Sequence, residues 1–383
     1  MPERQRILLI TRNLPPLVGG MERLNWHMAD ELAKQADVQV IGPTGAAALK
    51  PLSIALTEAP LKPLSLCLLV AFCKGLWIAL RWKPDVILAG SGLTAPIAWL
   101  LSKTCGARSA AYLHGFDITV NHRLYRKLWR PTFKKLDHAI VNSTPTQQLA
   151  LAAGVNRSNI SIVYPGVSLP ETPQRAENIA VFKERHGLTG KKILLSVGRL
   201  TTRKGLREFV EQALPTIVKT EPDAVLVVIG EAPKNSLGAG IQSMESIQAQ
   251  AKQSGVARHI RFLGVITDKN LLATAYEAAD VHVFPVRQIP DDPEGFGMVA
   301  IEAAAHGVPT VAFATGGIID AVEVEQSGYL VTPDDYPALA YFVLQLLLES
   351  TSPWQKSAVS FAQSFSWSAF GTQVNAALQP QGR

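Results

Sequence analysis

Two glutamates in the second half of the chain have a spacing that could hold the hydroxyl groups of a sugar. Glu294 and Glu302 stand eight residues apart in the stretch PEGFGMVAIE. Gly295 and Gly297 would open a helix that carries Glu302, and the positive end of that helix would stabilise a leaving phosphate. Residues eight apart lie about 12 Å apart along a straight helix and about 80° apart around it, so Glu294 must lie in a loop for both carboxylates to accept hydrogen bonds from one ligand. A helix-capping glutamate beside a surface glutamate is the alternative.

Two basic residues flank a predicted turn in the stretch SVGRLTTRKG. Arg199 supplies a planar fork and Lys204 a point charge, a pairing suited to the oxygens of a diphosphate. The neighbouring Arg203 is predicted to be solvated instead. A solvated basic loop is the alternative for the whole stretch.

Two further stretches could do chemistry in the first half of the chain. In PPLVGGME, Gly19 and Gly20 would let the backbone present N–H groups to an anion ahead of a helix, although an ordinary turn is the alternative. In YLHGFD, His114 ends a predicted strand, where its ring could hydrogen-bond a hydroxyl or phosphate oxygen. The alternative for a lone histidine is a structural role.

Eleven short apolar runs predict the strands that must position these residues. They cover 6–10, 38–41, 85–89, 109–112, 139–142 and 160–164 in the first half, and 192–197, 224–229, 260–263, 281–284 and 310–313 in the second. Nearly continuous hydrophobicity is typical of parallel strands buried on both faces, and helical segments lie between the runs. We therefore expect an α/β fold of two tandem Rossmann-like domains that face a deep cleft.

Length and composition agree with two globular domains. The chain has 383 residues, of which 47% are hydrophobic and 18% charged, so it is not a disordered protein. A polar break predicts an N-terminal domain over 1–170, a linker over 171–190 and a second domain over 191–360. Three cysteines without a CxxC pair indicate a reducing compartment, and no export signal is visible. The apolar run Leu64–Leu80 contains Lys74 and Gly75 and is predicted to be a packed helix rather than a membrane span.

The basic residues are concentrated in the first half of the chain. Residues 1–170 hold 19 Lys and Arg against 9 Asp and Glu, a balance of +10, whereas residues 171–383 hold 18 against 22, a balance of −4. Such asymmetry suggests an anionic partner, either nucleic acid or a membrane surface. No helix-turn-helix, RNP or zinc pattern supports nucleic acid, which makes a nucleic-acid-binding protein the least favoured reading.

The segment 121–135 is the candidate membrane contact, because it holds six Lys or Arg and no acidic residue. It predicts a basic amphipathic helix with apolar and aromatic side chains between the charges, which suits an anionic bilayer. A solvated helix that packs on its own domain is the alternative. The predicted membrane-surface residues are Arg123, Arg126, Lys127, Trp129, Arg130 and Lys134.

These motifs, in this order, resemble the retaining glycosyltransferases of family 4, which have the GT-B fold. The resemblance covers essentially the whole chain. Its motifs are PPLVGGME, LHGFD, VNS, YPGVS, SVGRLTTRKG, the pair Glu294 and Glu302, HGVPTVAFATGG and SFSW. The last of them resembles the start of a C-terminal helix, here 361–383, that crosses back to the N-terminal domain.

The resemblance implies a role for each candidate residue. His114, Arg199, Lys204 and Glu294 would form the reaction centre, with His114 facing the sugar. Contacts to the donor are implied for Gly19 and Gly20 (phosphates), Arg199 and Lys204 (diphosphate), Val265 (base), Glu294 with the backbone of Phe296 and Gly297 (transferred sugar), and Glu302 (ribose).

The resemblance also implies an activity. A hexose, with mannose or a deoxyhexose such as rhamnose favoured, would move from a GDP-sugar to a lipid-linked or glycolipid acceptor in the synthesis of a cell-surface polysaccharide such as lipopolysaccharide. A UDP-sugar with a different acceptor is the alternative, and a GT-B sugar-nucleotide epimerase is another. No Asp-x-Asp triplet occurs, so we expect no metal and no cofactor. The expected location is cytoplasmic, peripheral on the inner face of the cell membrane.

Overall fold

The computed structural model describes residues 4–233, 240–348 and 351–380, and the chain divides into two compact units. The first unit combines residues 1–166 with 366–383, and the second is the continuous stretch Val167–Phe365. The predicted linker at 171–190 differs from the structure, because it contains a helix that belongs to the second unit. Phe182 of that helix is buried in the core of the unit, which anchors an otherwise polar stretch.

The first unit is built on a sheet of seven parallel strands. They are β1 Arg6–Ile10, β2 Asp37–Pro43, β3 Ala55–Ala59, β4 Val86–Ala89, β5 Arg108–Leu113, β6 His138–Val141 and β7 Ile160–Ile162. Their order in the sheet is β3-β2-β1-β4-β5-β6-β7. The order in which the chain adds strands to the sheet reverses between β1 and β4. Parallel sheets with such a reversal bind ligands beside the carboxyl ends of the strands at that point.

Among the residues described, seven helices connect these strands. They are α1 Gly20–Ala33, α2 Leu64–Trp82, α3 Ala95–Cys105, α4 Phe116–Thr119, α5 Arg123–Leu128, α6 Arg130–Phe133 and α7 Thr144–Ala152. Helix α2 packs on the sheet through Ala71, Gly75 and Ile78, as predicted for this apolar run. Within the described residues, α2 alone is long and apolar enough to cross a membrane by length and composition.

The second unit contains a sheet of six parallel strands. They are β8 Lys192–Val197, β9 Ala224–Ile229, β10 Ile260–Gly264, β11 Val281–Phe284, β12 Thr310–Phe313 and β13 Gly328–Val331, in the order β10-β9-β8-β11-β12-β13. Alternate residues of β8 and β9 point into two separate cores. Leu194 and Leu226 belong to one core and Ile193 and Val225 to the other, which explains why the strands are apolar without interruption.

In the described part of the second unit, nine helices cover this sheet. They are α8 Ala176–Arg185, α9 Leu206–Gln212, α10 Leu214–Thr220, α11 Met244–Gln253, α12 Lys269–Glu277, α13 Met298–Ala305, α14 Ile318–Ala321, α15 Tyr336–Leu348 and α16 Thr351–Gln363. Four short 3-10 turns complete the elements of the two units among the described residues, at Ala46–Ala48, Arg157–Asn159, Thr202–Lys204 and Ala257–His259.

The last helix, α17 Trp367–Leu378, belongs to the first unit and packs on α1. Trp367 stacks on His27 with ring centres 3.9 Å apart, and a side chain at Gly371 would collide with Glu31. At the end of the helix, the Leu378 carbonyl accepts a hydrogen bond of 2.8 Å from Arg108. The predicted start of this returning helix, residue 361, lies instead in α16, which packs on α13.

The predicted fold class is confirmed, since both units are Rossmann-like parallel sheets covered by helices. All eleven predicted strands are present. The two strands that the sequence did not indicate, β3 and β13, are both edge strands. An edge strand pairs on one side only and tolerates exposed residues, so it lacks the continuous apolar run of a central strand.

Candidate active site

The strongest candidate site is a cluster of charged side chains at the carboxyl edge of the second sheet. Arg203 and Lys204 lie in the turn after β8, and Glu294 lies in the loop after β11. The Lys204 ammonium stands 2.9 Å from Oε2 of Glu294, and the Arg203 guanidinium binds the same oxygen. All three side chains are largely buried. Because β8 and β11 are neighbours where the strand order reverses, the cluster lies where sheets of this type bind ligands.

The cluster keeps Glu294 ionised. Burial raises the pKa of the Glu294 carboxyl, but the positive charges of Arg203 and Lys204 outweigh burial and lower that pKa to about 2. Burial lowers the pKa of Lys204, and the Glu294 carboxylate opposes this shift. The Lys204 ammonium also lies 4.5 Å from the centre of the Phe284 ring, a cation–π contact.

Arg203 is buried, so the prediction that it is a solvated residue is wrong. The Nε of Arg203 lies 3.3 Å from Oδ1 of Asp292, so Arg203 has two carboxylate partners, Asp292 and Glu294. A guanidinium is weakly hydrated and forks between two acceptors, which suits it to a buried position between carboxylates. The three cations Arg199, Arg203 and Lys204 outnumber the two carboxylates, which leaves the cluster with a positive surplus.

A glycine turn after β12 holds the loop that carries Glu294. The Gly317 N–H donates to the Glu294 carbonyl at 2.9 Å, and a side chain at Gly317 would collide with the carbonyl oxygen of Gly295. The loop ends at Gly297, whose φ of 92° lies in the left-handed region that favours glycine. Helix α13 begins directly after it, so Glu302 lies in the helix and Glu294 in the loop, as the sequence predicts.

Glu302 is oriented by Tyr276, whose ring stacks on that of His306. The Tyr276 hydroxyl donates to its Oε2 at 3.1 Å. Tyr276 is itself buried and stacks on His306, with nearly parallel rings whose centres are 5.3 Å apart. Tyr276 therefore orients the Glu302 carboxylate within α13.

Three other predicted donor contacts surround the same edge of the sheet. Arg199 is exposed directly after β8, and its positive charge adds a small lowering to the pKa of both Lys204 and Glu294. Val265 follows β10 and is 53% exposed. Phe296 is buried against Phe365, with ring centres 5.8 Å apart, so it can offer a ligand its backbone and not its ring.

His114 lies at the carboxyl end of β5 in the first unit, and its ring is buried. Its Nε2 stands 3.1 Å from the Gly90 carbonyl, which can only accept, so Nε2 carries the proton. The carboxylate of Asp117 accepts from the backbone N–H groups of His114 and Gly92 at 3.2 and 2.9 Å, which ties the ends of β4 and β5 together. The predicted role of His114 in the reaction stays a prediction.

Gly19 and Gly20 form the start of α1 in the first unit. Gly19 caps the helix and Gly20 is its first residue, so backbone N–H groups of the first turn have no acceptor within the helix. The Glu22 carboxylate lies against Gly19 and accepts a hydrogen bond of 2.8 Å from Asn13. An anion at this helix end would meet that carboxylate, and the phosphate-binding role of the two glycines stays a prediction.

The basic segment 121–135 forms two short helices, α5 and α6, instead of the single amphipathic helix that the sequence suggested. Trp129 is half-buried and donates to the Leu93 carbonyl at 2.9 Å, and its assignment to a membrane surface stays a prediction. Phe133 is buried in the core of the first unit. The charged residues remain at the surface: Arg123, Arg126, Lys127 and Lys134 are exposed, and Arg130 is half-buried.

The sequence analysis missed four residues that complete the charged cluster and its supports. They are Arg203, Asp292, Tyr276 and Gly317. The glycines of HGVPTVAFATGG were a usable signal for a tight turn, whereas no local pattern marks Tyr276. Among the residues that the structure describes, no group of three or more His, Cys, Asp or Glu could hold a metal ion.

Comparison with known families gives matches to both units. Residues 191–349 match the family described as glycosyl transferases group 1, and residues 18–170 match glycosyltransferase family 4. D-inositol 3-phosphate glycosyltransferase 2 of Catenulispora acidiphila is 32% identical over 305 residues, which are 74% of this chain and 68% of the relative.

Two further similarities cover almost the whole chain. A GDP-mannose-dependent alpha-(1-6)-phosphatidylinositol monomannoside mannosyltransferase of Mycolicibacterium smegmatis is 27% identical over 364 residues, which are 90% of this chain and 89% of the relative. The crystal structure of Anabaena Alr3699/HepE in complex with UDP has a TM-score of 0.81 at 21% identity and covers 98% of this chain and 99% of that one. This second likeness concerns the fold.

Proposed function

The chain belongs to the glycosyltransferases of group 1 and family 4, and from this membership we propose that it transfers a hexose from a GDP-sugar to a lipid-linked or glycolipid acceptor. Mannose or a deoxyhexose such as rhamnose is the proposed sugar. One relative is named as GDP-mannose-dependent and as acting on a phosphatidylinositol monomannoside, which supports both the donor and a lipid acceptor. The proposed setting is the synthesis of a cell-surface polysaccharide such as lipopolysaccharide.

The charged cluster of the second unit carries this proposal. Glu294 is an ionised carboxylate that can accept hydrogen bonds from sugar hydroxyls, and it lies beside cations that suit a diphosphate. On donor binding, the diphosphate would take contacts from Lys204 and Arg199. Arg203 would then keep Glu294 ionised, while one carboxylate oxygen of Glu294 turns to the transferred sugar.

Charge stabilisation of the leaving group is the chemistry that these residues supply. As the sugar–phosphate bond breaks, negative charge grows on the diphosphate, and fixed cations stabilise that charge more strongly than they stabilise the bound donor. The first turn of α13 points its N–H groups in the direction of its N-terminal loop, which adds a positive partial charge there. Glu302 would hold the ribose, oriented by Tyr276.

The donor is tested by measuring the thermal unfolding of the protein with GDP-, UDP-, ADP- and dTDP-sugars. A ligand at 100 times its Kd should stabilise the fold by about 2.7 kcal/mol. We expect GDP-mannose or a GDP-deoxyhexose to raise Tm most, and the rise to disappear in Lys204→Ala. A rise with UDP-sugars alone would contradict the proposed donor, and an isomerised donor in the absence of acceptor would indicate an epimerase.

Turnover should continue in EDTA at the rate seen without chelator. Arg199, Lys204 and the α13 N-terminus take the part that a divalent ion plays in metal-dependent transferases, so we propose that no metal is required. The measurement is the initial rate before and after dialysis against EDTA, with and without added Mg²⁺. A rate that falls with EDTA and returns with Mg²⁺ would overturn the proposal.

The two glutamates should separate in their kinetics. Glu302→Ala should mainly raise KM, because ribose contacts are similar in the bound donor and in the transition state. Glu294→Ala should mainly lower kcat, because the transferred sugar changes shape and charge during the reaction. Steady-state rates at varied donor concentration distinguish the two. If both variants raise KM alone, Glu294 lies outside the reaction centre.

Gly317→Ala should lower kcat at least about tenfold by displacing the loop of Glu294. The new methyl group would stand 2.7 Å from Cα of Phe296, closer than real contacts allow, and a shift of about 1 Å can cost far more than this in rate. Gly187→Ala is the control, because Gly187 has φ 64° and nothing within 4 Å, so it adds backbone strain far from the loop. Equal kcat in the two variants would refute the role of the turn.

We extend the proposal to the place of action, which is the cytoplasmic face of the cell membrane. The observation that supports it is the exposed charge of the basic segment, where Arg123, Arg126, Lys127 and Lys134 face solvent without an acidic residue among them. Basic residues near an anionic surface each contribute about 1 kcal/mol of attraction. This attraction should weaken with salt, because screening shortens its range.

A further inference from the structure

Helix α2 exposes an apolar face that no described residue of the first unit covers. Leu66, Leu69, Trp77 and Leu80 are spaced by three to eight residues at helical repeats, so they form one stripe, and each is 42–59% exposed. Cys73, also exposed, lies in the middle of the stripe. Only 28% of the most apolar 18-residue stretch of this helix is buried. Large exposed stripes of this kind mark binding surfaces in soluble proteins.

The opposite face of α2 is fixed to the sheet. Ala71, Gly75 and Ile78 are buried there, and a side chain at Gly75 would meet Leu101 of α3 at 2.6 Å. A helix held this closely cannot leave the unit to cross a bilayer without opening the core. Its outer stripe, about 28 Å long for 19 residues, can still lie flat on an apolar surface.

Positive charge surrounds the stripe. Residues 60–136 contain twelve Lys and Arg against two Asp, a balance of +10, whereas the rest of 1–170 contains seven of each sign. Of the two acids, Asp117 is buried. Five exposed cations stand on or beside α2 and α3: Lys62, Lys74, Arg81, Lys83 and Lys103. Arg81 lies over the Trp77 ring at 4.8 Å, at the rim of the stripe.

The basic segment lies next to this surface. Lys135 lies over the Trp99 ring of α3 at 4.5 Å, and α3 packs on α2. Leu100 of α3 is a further apolar residue at the surface and is 45% exposed. A hollow of about 350 Å³ beside Trp77, between β3 and α2, deepens the stripe at its centre.

We propose that the outer face of α2 inserts into the interfacial layer of an anionic lipid bilayer. An apolar stripe with a rim of cations matches acyl chains below anionic headgroups. A second copy of the chain fits poorly, because a two-fold interface would bring the surplus of positive charge on each copy against the other. The inference rests on the proposed place of action and adds the apolar contact that charge alone lacks.

The two contributions to membrane binding, charge attraction and apolar insertion, should therefore differ in their dependence on salt. The basic segment attracts through charge and loses its effect as salt rises, whereas insertion of apolar side chains resists salt. Binding to vesicles of phosphatidylglycerol and phosphatidylcholine should fall with salt in the wild type but persist in part at high salt. Replacing Arg126, Lys127, Arg130 and Lys134 with Ser should remove the salt-sensitive part.

The decisive variant replaces Leu66, Leu69, Trp77 and Leu80 with Ser. We expect its affinity for the same vesicles to fall at least about tenfold and its binding at high salt to vanish. Turnover of a short water-soluble acceptor should not change. The matched control replaces four exposed apolar residues of the second unit with Ser, namely Val181, Val324, Tyr341 and Leu348, and should bind as the wild type does.

A second readout uses the wild-type fold. Lipids with brominated acyl chains quench a tryptophan that enters them, so they should quench the wild type more than Trp77→Phe. Equal quenching, or an α2 variant that binds vesicles as the wild type does, would overturn the inference about α2 alone. A wild type that ignores anionic vesicles at low salt would overturn the membrane location too. Dimerisation lost in the α2 variant, with vesicle binding unchanged, would assign the stripe to a second copy.

Discussion

Replacing Lys204 with alanine should lower kcat at least about a hundredfold. The ammonium is fixed by Glu294 at 2.9 Å and by the Phe284 ring, so it is in place before charge develops on the leaving diphosphate. Removing one such fixed donor typically costs two to three powers of ten in rate. Steady-state kinetics with the donor that gives the largest thermal shift provide the measurement. Arg199→Ala should show a loss of the same order, since its exposed guanidinium can fold onto the same diphosphate.

Lys219→Ala is the matched control for this experiment. Lys219 is an exposed lysine in the last turn of α10, in the same unit, and its removal should leave kcat as it is. Thermal unfolding of each variant without ligand checks that the fold is intact. Near-normal turnover in both Lys204→Ala and Arg199→Ala would remove the charged cluster from the mechanism.

Replacing Glu294 with glutamine should lower the free energy of unfolding by about 3–5 kcal/mol at pH 7. The substitution removes the carboxylate that two largely buried cations share, and an uncompensated buried charge is costly. Urea denaturation provides the measurement. Asp223→Asn is the control, because Asp223 pairs with Lys191 at 2.6 Å at the exposed surface, where water screens the attraction, and it should change little.

The same contribution should depend on pH in a defined window. The pKa of Glu294 is about 2 in the folded protein and has its ordinary value of 4.5 in the unfolded chain. A lowered folded pKa stabilises the fold fully above pH 4.5, and this stabilisation is lost as the pH falls toward 2. The difference in stability between wild type and Glu294→Gln should therefore shrink over that interval. A constant difference from pH 5 to pH 2 would contradict the cluster.

The sequence predicted those features that depend on local pattern. Continuous apolar runs indicated the central strands, and the spacing of Glu294 and Glu302 placed one in a loop and the other in a helix. What it missed depends on contacts made only after folding. In the sequence, Arg203 is one more cation in a basic turn. Its carboxylate partners, Asp292 and Glu294, lie in the loop after β11 and come beside it only in the folded protein.

The basic segment is a second case in which the local pattern did not predict the contacts made in the fold. Its alternation of charged and apolar residues indicated one amphipathic helix with an exposed aromatic belt. Trp129 instead donates to the Leu93 carbonyl and Phe133 enters the core, so these two rings pack within the unit, while Leu124 and Leu128 stay exposed. In α2 the converse occurs, because an apolar run predicted to be packed leaves its outer stripe in solvent.

The return of α17 to the first unit has a consequence for synthesis on the ribosome. The second unit is continuous and can form once residue 365 has emerged, but the first unit lacks α17 until residue 378 has followed. At about 5–20 residues per second, the 212 residues from 167 to 378 take about 10–40 s to translate. During this interval the surface of α1 that receives Trp367 and Gly371 stays uncovered. The nascent chain therefore leaves this surface of α1 uncovered for longest in the part made first, which is where a chaperone would be needed.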